Sequence, residues 1–420
     1  MSAPRVALFG NFGTGNTGNE SSLAAMIRSL GRISPNADLR CICYAPEVVE
    51  RDHGLRSIPI KPPGPRNLAF RVLNRLLLRI PVEAMRIADM IAQLRRIDVM
   101  ILPGTGTLDD FGVPPLDWPY HVFKWCVAAK LCGVKVAFVS AGAGPIASPL
   151  SRLFLKAAAR AAAYRSYRDD ISKRFMQGLG VDASGDAVFP DLVFSLQAPD
   201  PISEPAATDR RPCVGVGVMA YRGWTPETEG ASPVYAAYLA KIVRFVLWLG
   251  EQGYRVRLLG GDKVDEAALS ELVAMLRAQQ PERLDAWLTA EPTHTPAQLL
   301  DQISRTDRVV ATRFHNVLWA LMMGKPVVSI GYADKNDVLM ADMGLGAYCQ
   351  RIETLDIGRL IAQFEEQGSA REAVTKGLGA KLQSKRAALR QQERLIADLL
   401  LQDFGSSVET RAADLKPARP

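Results

Sequence analysis

The stretch DRVVATRFHNVLWALMMGKPVVSIGYADKND, residues 307–337, decides the fold of this chain. A short run rich in β-branched residues, 308–311, precedes a turn, after which a largely apolar segment begins at Asn316 and leads to Gly324. A second apolar run of strand length follows at 327–330. This succession predicts a strand–helix–strand unit whose two parallel strands are covered by helices.

Apolar runs of the same kind recur along the rest of the chain, between segments long enough to form helices, and this alternation predicts an α/β protein with parallel sheets. A stretch rich in proline and polar residues, 197–212, separates two series of runs and is the expected linker. The other runs lie at 6–9, 99–102, 134–140, 214–218 and 256–259. The predicted divisions are an N-terminal domain (1–196), the linker, a C-terminal domain (213–352), a helical segment (353–404) and a disordered tail (405–420).

Length and composition fit a globular protein of two domains. The chain has 420 residues, of which 48% are hydrophobic and 23% are charged. An excess of 51 basic over 44 acidic residues gives a net charge of +7, which favours anionic ligands without identifying one. We expect no nucleic-acid partner.

The sequence carries no signature of a metal site, an export signal or a membrane span. Its six cysteines are scattered, without a CxxC pair or a histidine at zinc-finger spacing, so we predict reduced thiols. No metal constellation is evident, so we predict no bound metal, and we expect no cofactor. The first residues lack the basic and apolar pattern of a secretory signal. No stretch reaches the roughly 18 apolar residues that a membrane-spanning helix needs. We therefore expect a soluble, cytoplasmic protein.

A basic amphipathic helix is predicted at residues 67–80. Arg71, Arg75 and Arg79 are spaced four apart and therefore share one face, beside an apolar surface. Two interpretations stay open. The helix either presents a solvated face or docks on anionic lipid or a lipid-linked acceptor, which would place the protein peripherally at the inner face of the membrane.

Three glycine-rich turns follow predicted strands, at 10–22, 103–110 and 140–146. The carboxyl ends of parallel strands meet at one edge of a sheet, so these turns are expected to open on a shared ligand crevice. Free backbone amides in the first turn, before a helix predicted to begin near Ser21, suit an anion, although a purely structural turn is the alternative. The substrate-binding candidates in these turns are Gly13, Gly15, Asn16, Gly18, Asn19, Gly104, Gly106 and Gly142.

The turn before Asn316 carries the strongest chemical candidates. Arg313 and His315, two apart in a turn expected to be non-helical, can project to the same side; an arginine fork suits a phosphate or carboxylate, and histidine exchanges protons near neutrality. Because the following helix disfavours an imidazolium at its N-terminus, His315 needs a bound dianion or a carboxylate to act as an acid. Arg168 is predicted as a fixed cation, or as one half of an ion pair, and Lys335 as a second cation, or as a surface lysine.

The order and spacing of these segments resemble the polysaccharide pyruvyl transferase family over about residues 5–350. The segments are GNFGTGNTGNESS, ILPGTGTLDD, VSAGAGPI, SYRDDISKRFMQGLGV and ATRFHNVLWALMMGKPVVSIGYADKN. The resemblance implies two Rossmann-like domains that face a cleft in a GT-B-like arrangement, with the acceptor on the N-terminal side, the donor on the C-terminal side and a C-terminal helix. It also implies transfer of a pyruvyl group from phosphoenolpyruvate to a sugar diol of an exopolysaccharide or its precursor, with formation of a ketal and release of phosphate.

The family's motifs fall on specific residues of this chain. Its first loop often has aspartate where this chain has Asn19, and its second has a glycine triplet that Thr105 interrupts. Phosphoenolpyruvate carries a phosphate and a carboxylate, so Arg313, Arg168 and Lys335 are candidate clamps and His315 is the candidate proton donor or relay. The Arg-x-His motif corresponds to Arg313 and His315, Arg-Asp-x-x-Ser to Arg168, Asp169 and Ser172, and Tyr-x-x-Lys to Tyr332 and Lys335.

Two other functions stay open from the residues alone. A GT-B-type nucleotide-sugar glycosyltransferase or epimerase would share the cleft and would need a carboxylate for ribose hydroxyls, for which Asp334 and Glu291 are candidates. A non-catalytic partner in glycan assembly would keep the fold without the chemistry, and the departures at Asn19 and Thr105 favour it.

Overall fold

The computed structural model describes residues 3–62, 75, 80–198, 211–221 and 233–401. Within these ranges the strands form two parallel sheets, one in each half of the chain. Most of the basic helix predicted at 67–80, residues 199–210 of the predicted linker and the predicted tail lie outside the described residues.

The first sheet has seven strands in the order β3-β2-β1-β4-β5-β6-β7, with every neighbouring pair parallel. This is the strand order of a doubly wound Rossmann domain, in which ligands bind where the order reverses, beside β1. The strands are β1 (Arg5–Phe9), β2 (Asp38–Cys43), β3 (Arg56–Pro59), β4 (Val99–Pro103), β5 (Lys135–Ala141), β6 (Tyr164–Tyr167) and β7 (Ala187–Val188). The helices are α1 (Thr17–Ile33), α2 (Pro46–His53), α3 (Ile80–Leu94), α4 (Trp118–Leu131), α5 (Pro149–Ala161) and α6 (Asp170–Gly178), followed by a 3-10 turn at Leu192–Ser195.

The second sheet repeats this order with six parallel strands, β10-β9-β8-β11-β12-β13. Its strands are β8 (Cys213–Gly217), β9 (Arg255–Leu259), β10 (Leu288–Ala290), β11 (Arg308–Ala311), β12 (Val327–Gly331) and β13 (Cys349–Arg351). Its helices are α7 (Pro233–Glu251), α8 (Asp265–Gln279), α9 (Pro296–Ser304), α10 (Phe314–Met322) and α11 (Asp334–Asp342), and α12 (Ile357–Ser369) and α13 (Arg371–Leu401) follow.

The predicted strand–helix–strand unit at 307–337 is confirmed. β11 pairs with β8 on one side and β12 on the other, and α10 connects β11 to β12. All four residues of β11 and all five of β12 are buried, as expected for strands covered on both faces. The turn at Arg313 therefore opens at the reversal point of the second sheet.

A single hydrophobic core joins the two domains on one side of their junction. It includes Leu23 and Leu30 of α1, together with Trp319 of α10. The C-terminal helix α13 adds Leu389 and Ile396 to the same core. The helix thus returns to the first domain after the second domain is complete.

One described helix, α7, is long and apolar enough to cross a membrane by length and composition. Its side chains Tyr238, Ile242 and Phe245 are buried in the core of the second domain. Because these contacts cover its apolar face, α7 is a core helix of that domain.

Candidate active site

A cleft of about 400 Å³ lies between the two domains, at the carboxyl ends of strands from both sheets. The first domain lines it with residues from the segments 106–109, 142–145 and 168–175, which follow β4, β5 and β6. The second domain contributes 332–335 and 351–354, which follow β12 and β13. Gly106 and Gly142 line the cleft as predicted for the second and third glycine turns.

Arg168 forms part of the cleft wall from the first domain. Its guanidinium lies 4.6 Å from the ring centre of Phe314 and 3.3 Å from Oδ2 of Asp191, and its side chain is 7% exposed. A Cβ atom at Gly142 would overlap the guanidinium. The position of Arg168 therefore requires glycine at residue 142. The following residue, Asp169, caps α6 by accepting a hydrogen bond from the Ser172 amide at 2.7 Å.

Lys335 lines the cleft from the second domain, in the first turn of α11. Its ammonium lies 4.6 Å from the ring centre of Tyr332 and makes no ion pair with any residue that the structure describes. Arg351, another cation of the cleft, is already paired with Asp334 and with Asp337. Lys335 is therefore the cleft cation whose charge is available to an anionic ligand.

His315 lies in the first turn of α10 and does not line the cleft; it is linked to the cleft wall through Asp191, which also pairs with Arg168. Its ring packs on Gly18 of the first domain, where a Cβ atom would overlap Nδ1. Nε2 lies 3.9 Å from Oδ2 of Asp191, and the side chain is 14% exposed. Burial, aided by the charges of Arg168 and Lys335, lowers the pKa of His315 to about 4, so the imidazole is neutral at pH 7.

Arg313 differs from the predicted free anion clamp. It does not line the cleft, and its Nε and Nη2 donate hydrogen bonds of 2.8 and 2.7 Å to the fully buried carboxylate of Asp265. The turn is also shorter than predicted, because α10 begins at Phe314 rather than Asn316. With its fork occupied, Arg313 fixes the start of the helix that carries His315.

The first glycine turn also differs from the predicted anion site. The side chain of Asn16 accepts hydrogen bonds from the amides of Gly18 and Asn19, both at 3.1 Å, so α1 begins at Thr17 rather than near Ser21. Nδ2 of Asn16 donates to Asp262 of the second domain at 2.6 Å. The helix amides are thus capped by the protein itself, and the loop connects the domains.

The remaining residues predicted in the glycine turns have local structural contacts. Nδ2 of Asn19 donates to the backbone oxygen of Asn11 at 3.0 Å, inside the first loop. Gly13, Gly15 and Gly104 adopt positive φ angles of 78°, 84° and 58°, which glycine tolerates. None of these four residues lines the cleft.

Two acidic residues at the site were missed from the sequence. Asp191 follows the two-residue strand β7 and contacts both Arg168 and His315. Asp109 lines the cleft, and burial raises its pKa to about 6 although Lys335 and Arg168 oppose the shift. Asp109 lies in the segment 101–110, and its position after the predicted strand 99–102 could have indicated a site residue. The strand before Asp191 has only two residues, which is too short to be recognised in the sequence.

The carboxylates considered for a nucleotide-sugar enzyme are both engaged. Glu291 accepts a hydrogen bond from Nη1 of Arg257 at 2.6 Å, and Asp334 pairs with Arg351. Neither is a free acceptor for ribose hydroxyls in this structure.

Comparison with known proteins gives one family and one fold. The family model described as polysaccharide pyruvyl transferase matches residues 16–334. Comparison with curated proteins gives no significant match.

The chain is similar to the UDP-GlcNAc 2-epimerase of Neisseria meningitidis, solved with UDP-GlcNAc bound, at 10% identity and a TM-score of 0.58, covering 95% of this chain and 100% of that one. It is also similar to the UDP-GlcNAc 2-epimerase of Methanocaldococcus jannaschii at 11% identity and a TM-score of 0.55, covering 86% and 92%. At such identities the likeness shows the fold alone, and it confirms the predicted two-domain, GT-B-like α/β architecture.

Proposed function

The chain belongs to the polysaccharide pyruvyl transferase family, and we propose that it transfers the pyruvyl group of phosphoenolpyruvate to two hydroxyl groups of a sugar. The products are a pyruvate ketal and phosphate. The observation that carries this proposal is the pair of cations from opposite domains in one cleft, Arg168 and Lys335, of which Lys335 makes no ion pair with the residues described. No cofactor or metal takes part in the proposed reaction.

The two anionic groups of phosphoenolpyruvate fit these two cations. Lys335 binds one group as a point charge, and Arg168 binds the other with the donors that Asp191 and Asp169 leave unused. Arg313 acts indirectly, because its ion pair with Asp265 holds the start of α10 and thereby positions His315.

His315 serves as the proton relay for the sugar hydroxyl. In the free protein its pKa of about 4 reflects burial and the nearby cations. The negative charge of bound phosphoenolpyruvate offsets those cations and raises this pKa, so the imidazole becomes a competent base only when the donor is present. It takes the hydroxyl proton through a bridging water, since the ring does not itself line the cleft. The hydroxyl oxygen then bonds to C2 of the donor as the C2–C3 double bond opens and C3 takes up a proton, and a second hydroxyl displaces phosphate from C2 to close the ketal.

We propose as acceptor a sugar of a polysaccharide or of its lipid-linked precursor. The predicted basic face of residues 67–80 supports contact with anionic lipid, and the adjoining helix α3 exposes Ile80, Met85 and Ile87. We accordingly propose that the reaction takes place in the cytoplasm, where phosphoenolpyruvate is produced, at the inner face of the membrane.

Phosphate release tests this function directly. The protein is incubated with phosphoenolpyruvate and a panel of sugar diols, and released phosphate and the ketal are measured; sugars with one hydroxyl of each pair methylated serve as controls. We expect phosphate release only with an intact diol. His315→Ala should abolish release while phosphoenolpyruvate still binds. Turnover of nucleotide sugars, with no phosphate released by any diol, would overturn the proposal.

A further inference from the structure

The proposed reaction needs a proton donor that His315 does not supply. The methylene carbon C3 of phosphoenolpyruvate must gain a proton to become the methyl group of the ketal. His315 is neutral in the free protein and is committed as a base to the attacking hydroxyl. A second group within the cleft must therefore act as the acid.

Four carboxyl groups line the cleft, and three of them already have partners. Asp169 caps α6 and lies 3.5 Å from Nε of Arg168. Asp334 pairs with Arg351, and Glu353 accepts a hydrogen bond from the hydroxyl of Tyr221. The fourth carboxyl, Asp109, makes no ion pair and no hydrogen bond to another side chain within the described part of the chain, and its one partner is a backbone amide.

The surroundings of Asp109 leave one of its oxygens available. Oδ1 accepts a hydrogen bond of 3.3 Å from the amide of Phe111. Oδ2 lies against Gly106, where a Cβ atom would overlap it, so the absent side chain makes room for the carboxyl group in the cleft wall. Burial raises the pKa of Asp109 to about 6, and a bound anion raises it further.

We propose that Asp109 is the general acid that protonates C3 of phosphoenolpyruvate, an assignment that rests on the proposed function. The π electrons of the C2–C3 bond take the carboxyl proton and form the methyl group. C2 accepts a lone pair from the first hydroxyl, whose proton passes to His315. The second hydroxyl then bonds to C2 as the bond from C2 to the phosphate oxygen breaks. Its proton restores the Asp109 carboxyl, and His315 returns its proton to the departing phosphate.

Asp109→Asn tests the assignment, because asparagine keeps the shape of the side chain and cannot give up a proton. We expect kcat for phosphate release to fall about 100-fold or more. The dissociation constant for phosphoenolpyruvate should stay within about threefold or decrease, since a negative charge is removed beside Lys335. Calorimetric titration measures the dissociation constant for phosphoenolpyruvate, and a thermal melt checks that the variant is folded.

The pH profile provides a readout that a structural role would not change. The reaction needs protonated Asp109, so kcat/KM of the parent falls as pH rises above about 6, the pKa of this group. In Asp109→Asn the decrease of kcat/KM that is due to this group should be absent from the pH profile, and in Asp109→Glu the decrease should be present again. Titration of the substrate itself is common to all three proteins and cancels in the comparison.

Asp170→Asn is the matched control, because this carboxylate is exposed in the first turn of α6 and does not line the cleft. Its activity should stay within about twofold of the parent. If the parent is active and Asp109→Asn retains its rate and its pH profile, the acid assignment is overturned and the proposed function stands. If the parent releases no phosphate with any diol, the proposed function and the acid assignment are both overturned.

Discussion

The basic side chains around the cleft differ in how far their charge is already neutralised. Arg313 gives two hydrogen bonds to Asp265, and Arg351 pairs with two aspartates. Arg168 has two carboxylate partners, Asp191 and Asp169, at the longer distances of 3.3 and 3.5 Å, while Lys335 makes no ion pair among the described residues. A neutralised cation attracts an anionic ligand weakly, so Lys335 and then Arg168 should dominate donor affinity.

Lys335→Met tests this order, because methionine keeps much of the side-chain length and removes the charge. We expect the dissociation constant for phosphoenolpyruvate to rise about 10- to 100-fold, the range of one charge-assisted hydrogen bond. Calorimetric titration measures it. Lys381→Met, an exposed position on α13, is the control and should bind as the parent does. Equal affinity of Lys335→Met and parent would contradict the assignment.

Residue types at the site could be predicted from the sequence, whereas their partners could not. Arg168, Lys335 and His315 follow strands, and that position predicted their proximity to the crevice. Asp265, which neutralises Arg313, lies 48 positions earlier in the chain. No local pattern indicates such a pairing, so Arg313 appeared as available as Lys335.

Secondary structure was predictable where strands are buried on both faces. The seven apolar runs correspond to β1, β4, β5, β8, β9, β11 and β12, with bounds that differ by about one residue. The strands missed are shorter or carry charged residues, as in DLRCIC of β2 and CQR of β13. Strands toward the edges of a sheet are partly solvated, so their sequences lack the continuous apolar signal.

The C-terminal helix α13 is joined to the first domain by a buried polar contact. Nε2 of Gln392, 1% exposed, donates to the hydroxyl oxygens of Ser140 at 3.0 Å and of Ser166 at 2.9 Å. These serines belong to β5 and β6, the strands that lead to Gly142 and Arg168. The helix therefore supports the wall of the cleft from behind.

Gln392→Ala should destabilise the protein by about 1–3 kcal/mol, because the buried serine hydroxyls lose a partner and a small cavity remains. Urea unfolding followed by circular dichroism measures the change. The neighbouring Gln391 is exposed, so Gln391→Ala should alter the stability little. Equal midpoints for the two variants would show that the contact contributes nothing.

At the scale of the whole molecule, the domains meet where the catalytic candidate lies. The ring of His315 rests on Gly18, and Asn16 and Thr17 beside it bind Asp262 and Gly261 of the second domain. The glycines of this loop indicate backbone freedom, which is required both in a loop that binds an anion and in a loop that contacts another domain. The sequence alone cannot distinguish these two roles, because the contact residues of the second domain lie more than 240 positions away.

Gly18→Ala should displace His315, because the added Cβ overlaps Nδ1 of the ring. We expect kcat to fall at least about 10-fold, with a loss of stability of about 1–3 kcal/mol from overpacking. Gly31→Ala, in the same helix with no atom within 4 Å of its added Cβ, is the control. It should keep full activity and gain slightly in stability. Phosphate-release kinetics and thermal melts separate the two variants, and unchanged kinetics in Gly18→Ala would mean that the ring position is not critical.

The return of α13 to the first domain has a consequence for biosynthesis. Gln392 is translated 226 positions after Ser166, which at roughly 5–20 residues per second is a delay of about 10–45 s. During that interval the emerging first domain lacks the helix that covers part of its core. If translation stops in the second domain, the released N-terminal fragment therefore exposes the apolar surface that α13 covers in the complete chain. We expect chaperones and proteases to bind such a fragment, and we expect it to have no activity.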